Sequence, residues 1–158
     1  MELSELQKDI HENAVAHGWW EEERSHDEIV ALFHSEISEA FEEYRSGHGL
    51  TEIYYNPEAP DKPEGIPIEL ADYVIRLMDW GEKRGVTTCL NILIYSPPHN
   101  LPRLIKELHK DIAKQDFQSA ASRIAGFFKN VCIDLEATIR LKHAYNVTRP
   151  YRHGGKVC

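Results

Sequence analysis

The stretch Ile29-Val30-Ala31-Leu32-Phe33-His34-Ser35-Glu36-Ile37-Ser38-Glu39-Ala40-Phe41-Glu42-Glu43-Tyr44 sets the fold class. A helix advances about 100° per residue, so positions i, i+3 and i+7 share a face. On that spacing Ile29, Leu32, Phe33, Ile37, Ala40 and Tyr44 form one apolar stripe. Glu36 falls inside the stripe, between the directions of Leu32 and Ile29, while Glu39 and Glu43 run along its edge. A carboxylate aimed at a core is costly unless it is paired, protonated or bound to a metal.

A second segment repeats the pattern. In Ile68-Glu69-Leu70-Ala71-Asp72-Tyr73-Val74-Ile75-Arg76-Leu77-Met78, a wide apolar face is made by Ile68, Ala71, Val74, Ile75 and Met78. Glu69, Asp72, Arg76 and Asp79 run beside it as a polar stripe. Two helices packed on those faces would bring both acid pairs to one cleft. Paired carboxylates at i, i+3 suit a hard cation such as Mg²⁺, which takes a few carboxylates, several waters and substrate phosphates. The competing reading is a solvated acidic face. It is stronger for Glu69 and Asp72, because Asp72 and Arg76 can form an i, i+4 pair. It is weaker for Glu36, whose direction is wrong for solvent.

The rest of the chain reads as more helix. Leu3, Leu6, Ile10 and Ala14 predict a first helix from about Leu3 to His17, ended by Gly18 and followed by Trp19-Trp20. Ser25 or Asp27 caps the second, which runs to about Ser46. Leu50–Ile66 reads as a loop, since Pro57, Pro60, Pro63 and Gly65 forbid a long helix. Pro67 opens a third helix that stops at Gly85. The run Leu90–Tyr95 is read as a short helix closed by Pro97-Pro98. Leu101–Lys114 is helical, and one further helix is expected from Phe117 to Ala144, bent near Gly126 or Asn130. The expectation is a single all-α domain over residues 1–158, an antiparallel helical bundle with a basic, turn-rich tail from about residue 145.

Composition narrows the function. A chain of 158 residues, 42% of them hydrophobic, can bury one sizeable core. No apolar run reaches about 18 residues and the N-terminus lacks a signal-peptide pattern, so no membrane partner is expected. Cys89, Cys132 and Cys158 are scattered and odd in number, which suits a reducing cytoplasm. A formal net charge of −8 argues against a nucleic-acid polymer as partner. After Glu136, however, no acidic residue occurs, while Arg140, Lys142, Arg149, Arg152 and Lys156 are basic. An acidic body with a basic tail suits a polyanionic ligand held by metal on one side and by cations on the other. The alternative is a frayed basic terminus. Trp19-Trp20 reads as a core anchor or as a stacking surface. Glu23-Arg24-Ser25-His26 is a lone ExxH, short of a di-iron motif pair.

Three blocks taken together resemble the MazG-like, all-α nucleotide pyrophosphohydrolases. They are Leu32 to Arg45, Lys62 to Asp79, and the tail Lys142-His143-Ala144-Tyr145-Asn146 with Arg149-Pro150 and His153-Gly154-Gly155-Lys156. Residues Thr87 to Asp134 match only as helical filler. The resemblance implies Mg²⁺-dependent hydrolysis of a (deoxy)nucleoside triphosphate to a monophosphate and pyrophosphate, with Mn²⁺ as a substitute. It implies Glu36, Glu39, Glu69 and Asp72 as metal ligands, with Glu39 the candidate proton acceptor. Glu43 and Asp79 are candidate outer partners. Lys142, Tyr145, Asn146 and Arg149 would meet phosphate or sugar. A homodimer or homotetramer is expected. A dUTPase- or dCTPase-type enzyme on the same helices, and a non-catalytic nucleotide-binding bundle, are the rival readings.

Overall fold

The structure is a computed structural model that describes residues 3–90 and 100–158. It is mostly helical: α1 (Leu3–Ala16), α2 (His26–Arg45), α3 (Ile66–Lys83), α4 (Leu101–Ala113), α5 (Phe117–Asn130) and α6 (Leu135–Thr148). The short α7 (Arg152–Gly155) has positive φ at all four residues and is a left-handed turn. Among the described residues no helix is long and apolar enough to cross a membrane. The expected helix over Leu90–Tyr95 lies almost wholly outside the described residues, and Leu90 itself is not helical.

The central helix is α3, because its apolar residues cover most of its circumference. Ile66, Ile68, Leu70, Ala71, Tyr73, Val74 and Met78 are all fully buried. It packs against α2, α1 and α6, while α4 joins the bundle through α2 and α5. Phe33 of α2 sits 5.3 Å from the Tyr73 ring and 4.9 Å from that of Phe117. The Tyr73 hydroxyl donates to the Phe117 carbonyl at 2.9 Å, so the one polar atom on that ring is satisfied. Each such large side chain contributes about 1.5–3 kcal/mol by leaving water.

Two expectations about the chain path are corrected. First, the Leu50–Ile66 loop holds an antiparallel hairpin, β1 (Tyr54–Asn56) and β2 (Ala59–Glu64), with a bulge between Tyr55 and Asn56. Asn56 accepts from the Glu58 amide at 3.0 Å and shapes the turn. Prolines that exclude a helix are tolerated in a two-stranded ribbon, where every strand has a free edge. Second, the single helix expected from Phe117 to Ala144 is two. The chain turns at Val131–Asp134 with Cys132 left-handed (φ 59), and Asp134 caps α6 by accepting from the Ala137 amide at 2.9 Å. The helical part therefore runs past Ala144 to Thr148, and the tail begins later than about residue 145.

Gly65 joins β2 to α3. Its φ of 122 lies in the left-handed half of the map, and a Cβ there would stand 2.2 Å from the Glu52 carbonyl oxygen. That close approach ties the hairpin to the start of α3, one turn before Glu69.

Candidate metal centre

Helix α2 carries Glu36 and Glu39 and helix α3 carries Glu69 and Asp72. Both apolar stripes face the same core, so the acidic turns meet. Carboxylate oxygens of Glu36, Glu69 and Asp72 lie within 4.8 Å of one another. Glu36 is only 4% exposed and Glu69 6%. Glu39 is exposed and lines the mouth of the same cavity, outside that tight trio.

Two cations counter the three carboxylates. Arg76 Nε donates to Glu36 Oε1. Lys142 Nζ, on a side chain 4% exposed, lies 2.8 Å from Asp72 Oδ2. The i, i+4 pair expected between Asp72 and Arg76 is thus replaced: Arg76 pairs across to α2, and Asp72 pairs across to α6. One negative charge is left over. Burial pushes the Glu36 carboxyl up to about 7, with Arg76 opposing and Asp72 adding to the rise. Burial and then the Asp72 charge push Glu69 up to about 8. Burial works against the Lys142 ammonium, but Asp72 and Glu69 outweigh it and raise its pKa.

The linkage sign follows directly. Both acids titrate higher when folded than in the unfolded chain, so between about pH 4.5 and pH 8 the folded state binds more protons. Stability without a cation therefore falls as pH rises through that window. A divalent cation reverses the penalty, because it offsets the surplus charge and holds the carboxylates ionised. The donor set is all carboxylate oxygen, which suits a hard ion. The residues fit such a group.

The remaining predicted contacts surround this cluster unevenly. Arg149 and Asn146 line an adjoining cleft between α1, α3 and the tail, shared with Asp72 and Arg76. Asn146 Oδ1 is buried without a hydrogen-bond partner, on a residue that lines this cleft. Tyr145 lies beneath the two cations, its ring centre 6.0 Å from Lys142 Nζ and 5.9 Å from Arg149 Cζ. The outer candidates part company. Asp79 borders the cleft and accepts from Trp20 Nε1 at 2.8 Å, with His11 Nδ1 at 2.6 Å. Glu43 instead accepts from the Tyr54 hydroxyl at 3.0 Å and anchors the hairpin.

Several residues here were named within the matching blocks of the sequence but given no role at the site. Lys62 of β2 and Lys156 of the tail line the acidic cavity. His153 lines both the cavity and the adjoining cleft, and stands edge-on to Trp19 at 5.0 Å. Lys62 opens a matching block but was given no role, because its strand was read as loop. Trp19 and Trp20 are half-buried at the bundle margin, Trp20 packing on the core and Trp19 facing the tail. No family model, no curated protein and no solved structure matches the chain.

Proposed function

We propose that the chain is a divalent-cation-dependent pyrophosphohydrolase that splits a nucleoside triphosphate into a monophosphate and pyrophosphate. The observation that carries the reading is the buried trio Glu36, Glu69 and Asp72, which when fully ionised exceeds its two paired cations by one charge, at the floor of a cavity rimmed by Lys62, Arg149 and Lys156. A Mg²⁺ ion supplies Lewis acidity and charge neutralisation when bound. Glu36, Glu69 and Asp72 hold it, and Glu39 at the rim stays in contact with solvent. Lys142 and Arg149 draw the triphosphate in and offset its charge. Water attacks the α-phosphorus, a new P–O bond forms, and the bridging bond to the β-phosphoryl oxygen breaks. Glu39 accepts the water's proton, and pyrophosphate leaves with the bonding electron pair. The adjoining cleft, with the free acceptor of Asn146, receives the nucleoside. The cluster's place in a homo-oligomer and in the cytoplasm belongs to the same proposal.

The test is product analysis on a panel of ribo- and deoxyribonucleoside triphosphates, with and without Mg²⁺. Monophosphate plus pyrophosphate, formed only with the metal, supports the reading and names the base. Diphosphate plus phosphate contradicts the position of attack. Binding of a triphosphate without any turnover would establish the non-catalytic bundle instead.

A further inference from the structure

We infer that Lys62 is a mobile polyphosphate contact, carried to the acidic cavity by the hairpin and exchanged from Glu64 onto the ligand. This rests on the reading of the cavity as a triphosphate site. The hairpin is pinned at both ends. At one end the Tyr54 hydroxyl donates to Glu43 of α2, and the His48 ring lies parallel to Tyr54 with centres 4.1 Å apart. At the other, Gly65 seats the strand against Glu52 at the start of α3. Strand β2 also packs on α6, the helix of Lys142. Lys62 is therefore delivered to the cavity by a fixed element.

Its charge differs in standing from the two cations paired with the cluster. Arg76 and Lys142 are committed to Glu36 and Asp72, so moving either one uncovers a carboxylate of the cluster. Lys62 Nζ lies 2.6 Å from Glu64 Oε1, and Glu64 stands two residues along the same strand, outside the trio. Residues i and i+2 of a strand face one side, and of the two it is Lys62 that lines the cavity. Lys62 can leave Glu64 without disturbing the cluster. A lysine suits that motion, being a point charge on a flexible four-carbon stem. Until a polyanion arrives, Glu64 keeps the ammonium at hand.

The experiment is calorimetric titration of inorganic tripolyphosphate with Mg²⁺ into wild type, Lys62→Met, Lys62→Arg and Glu64→Gln. Mn²⁺ binding without ligand is the control for the cluster. Losing one charged contact weakens tripolyphosphate binding of Lys62→Met by about tenfold or more. Lys62→Arg binds nearly as wild type, Glu64→Gln as tightly or tighter, and Mn²⁺ binding is unchanged in all four. Equal binding by wild type and Lys62→Met overturns the role of Lys62 alone. So does an equal loss in Lys62→Arg, which would trace the effect to the hairpin. If wild type binds neither tripolyphosphate nor any nucleoside triphosphate, the reading of the site falls with it.

Discussion

Two ion-pair systems are buried in this bundle, and they are built to opposite rules. Between α4 and α5, Asp111 faces Arg123 at 2.5 Å, with both side chains about a tenth exposed. Among the described residues, one carboxylate there meets one guanidinium. Between α2, α3 and α6, three carboxylates meet two cations. A matched pair crosslinks helices and asks for nothing more. A mismatched cluster is costly in an apolar bundle unless something positive completes it. The difference in charge count, more than the presence of buried acids, is what makes the second system a candidate site.

Breaking each system separates the two roles. The largest effect is expected from Glu36→Gln or Asp72→Asn, which removes a cation ligand and should cut Mg²⁺-dependent turnover by about a hundredfold or more. Circular dichroism should show the helices intact. In Glu69→Gln, stability at pH 8 without metal should rise, because the buried carboxylate of the trio outside both ion pairs is gone. Asp111→Ala should do the reverse: it removes a buried carboxylate that Arg123 donates to and should cost a few kcal/mol in denaturant unfolding, with turnover per folded molecule kept. If Glu69→Gln destabilises the metal-free chain at pH 8, the charge surplus is not what distinguishes the cluster.

Titration sharpens the comparison at smaller scale. Without divalent cations the melting temperature should fall by several degrees from pH 6 to pH 8, as Glu36 and Glu69 ionise near 7 and 8. With Mg²⁺ the fall should shrink, and in Glu36→Gln it should be smaller from the start. A metal-free melting temperature flat across that range would contradict the raised acid pKa values. The smallest effect is expected at the seam between the two halves, where Asp134 caps α6. Asp134→Ala should cost about 1 kcal/mol and leave turnover unchanged.

The bundle was legible where periodicity carried it. The stripes of α2 and α3 announced both helices and put Glu36 on the wrong side for solvent, which is why three of the four proposed metal ligands converge. Pairing was not legible. Sequence offers Arg76 to Asp72 one turn away, whereas packing offers it to Glu36 across the interface, and the buried partner wins. Prolines were read as breakers, so the hairpin and the place of its Lys62 at the cavity were hidden. The break at Cys132 was hidden because a left-handed residue other than glycine leaves no compositional mark, although Asp134 is an N-cap residue type.

The central claim is that the buried carboxylate trio takes a divalent cation together with a triphosphate. The most direct measurement is calorimetric Mg²⁺ titration at pH 7.5 with a non-hydrolysable nucleoside triphosphate analogue, repeated in two buffers of different ionisation enthalpy. Saturable binding with net proton release, lost in Glu69→Gln, is the result expected from carboxyls that are partly protonated before the ion arrives. Binding that releases no protons, or that survives unchanged in Glu69→Gln, would contradict the claim.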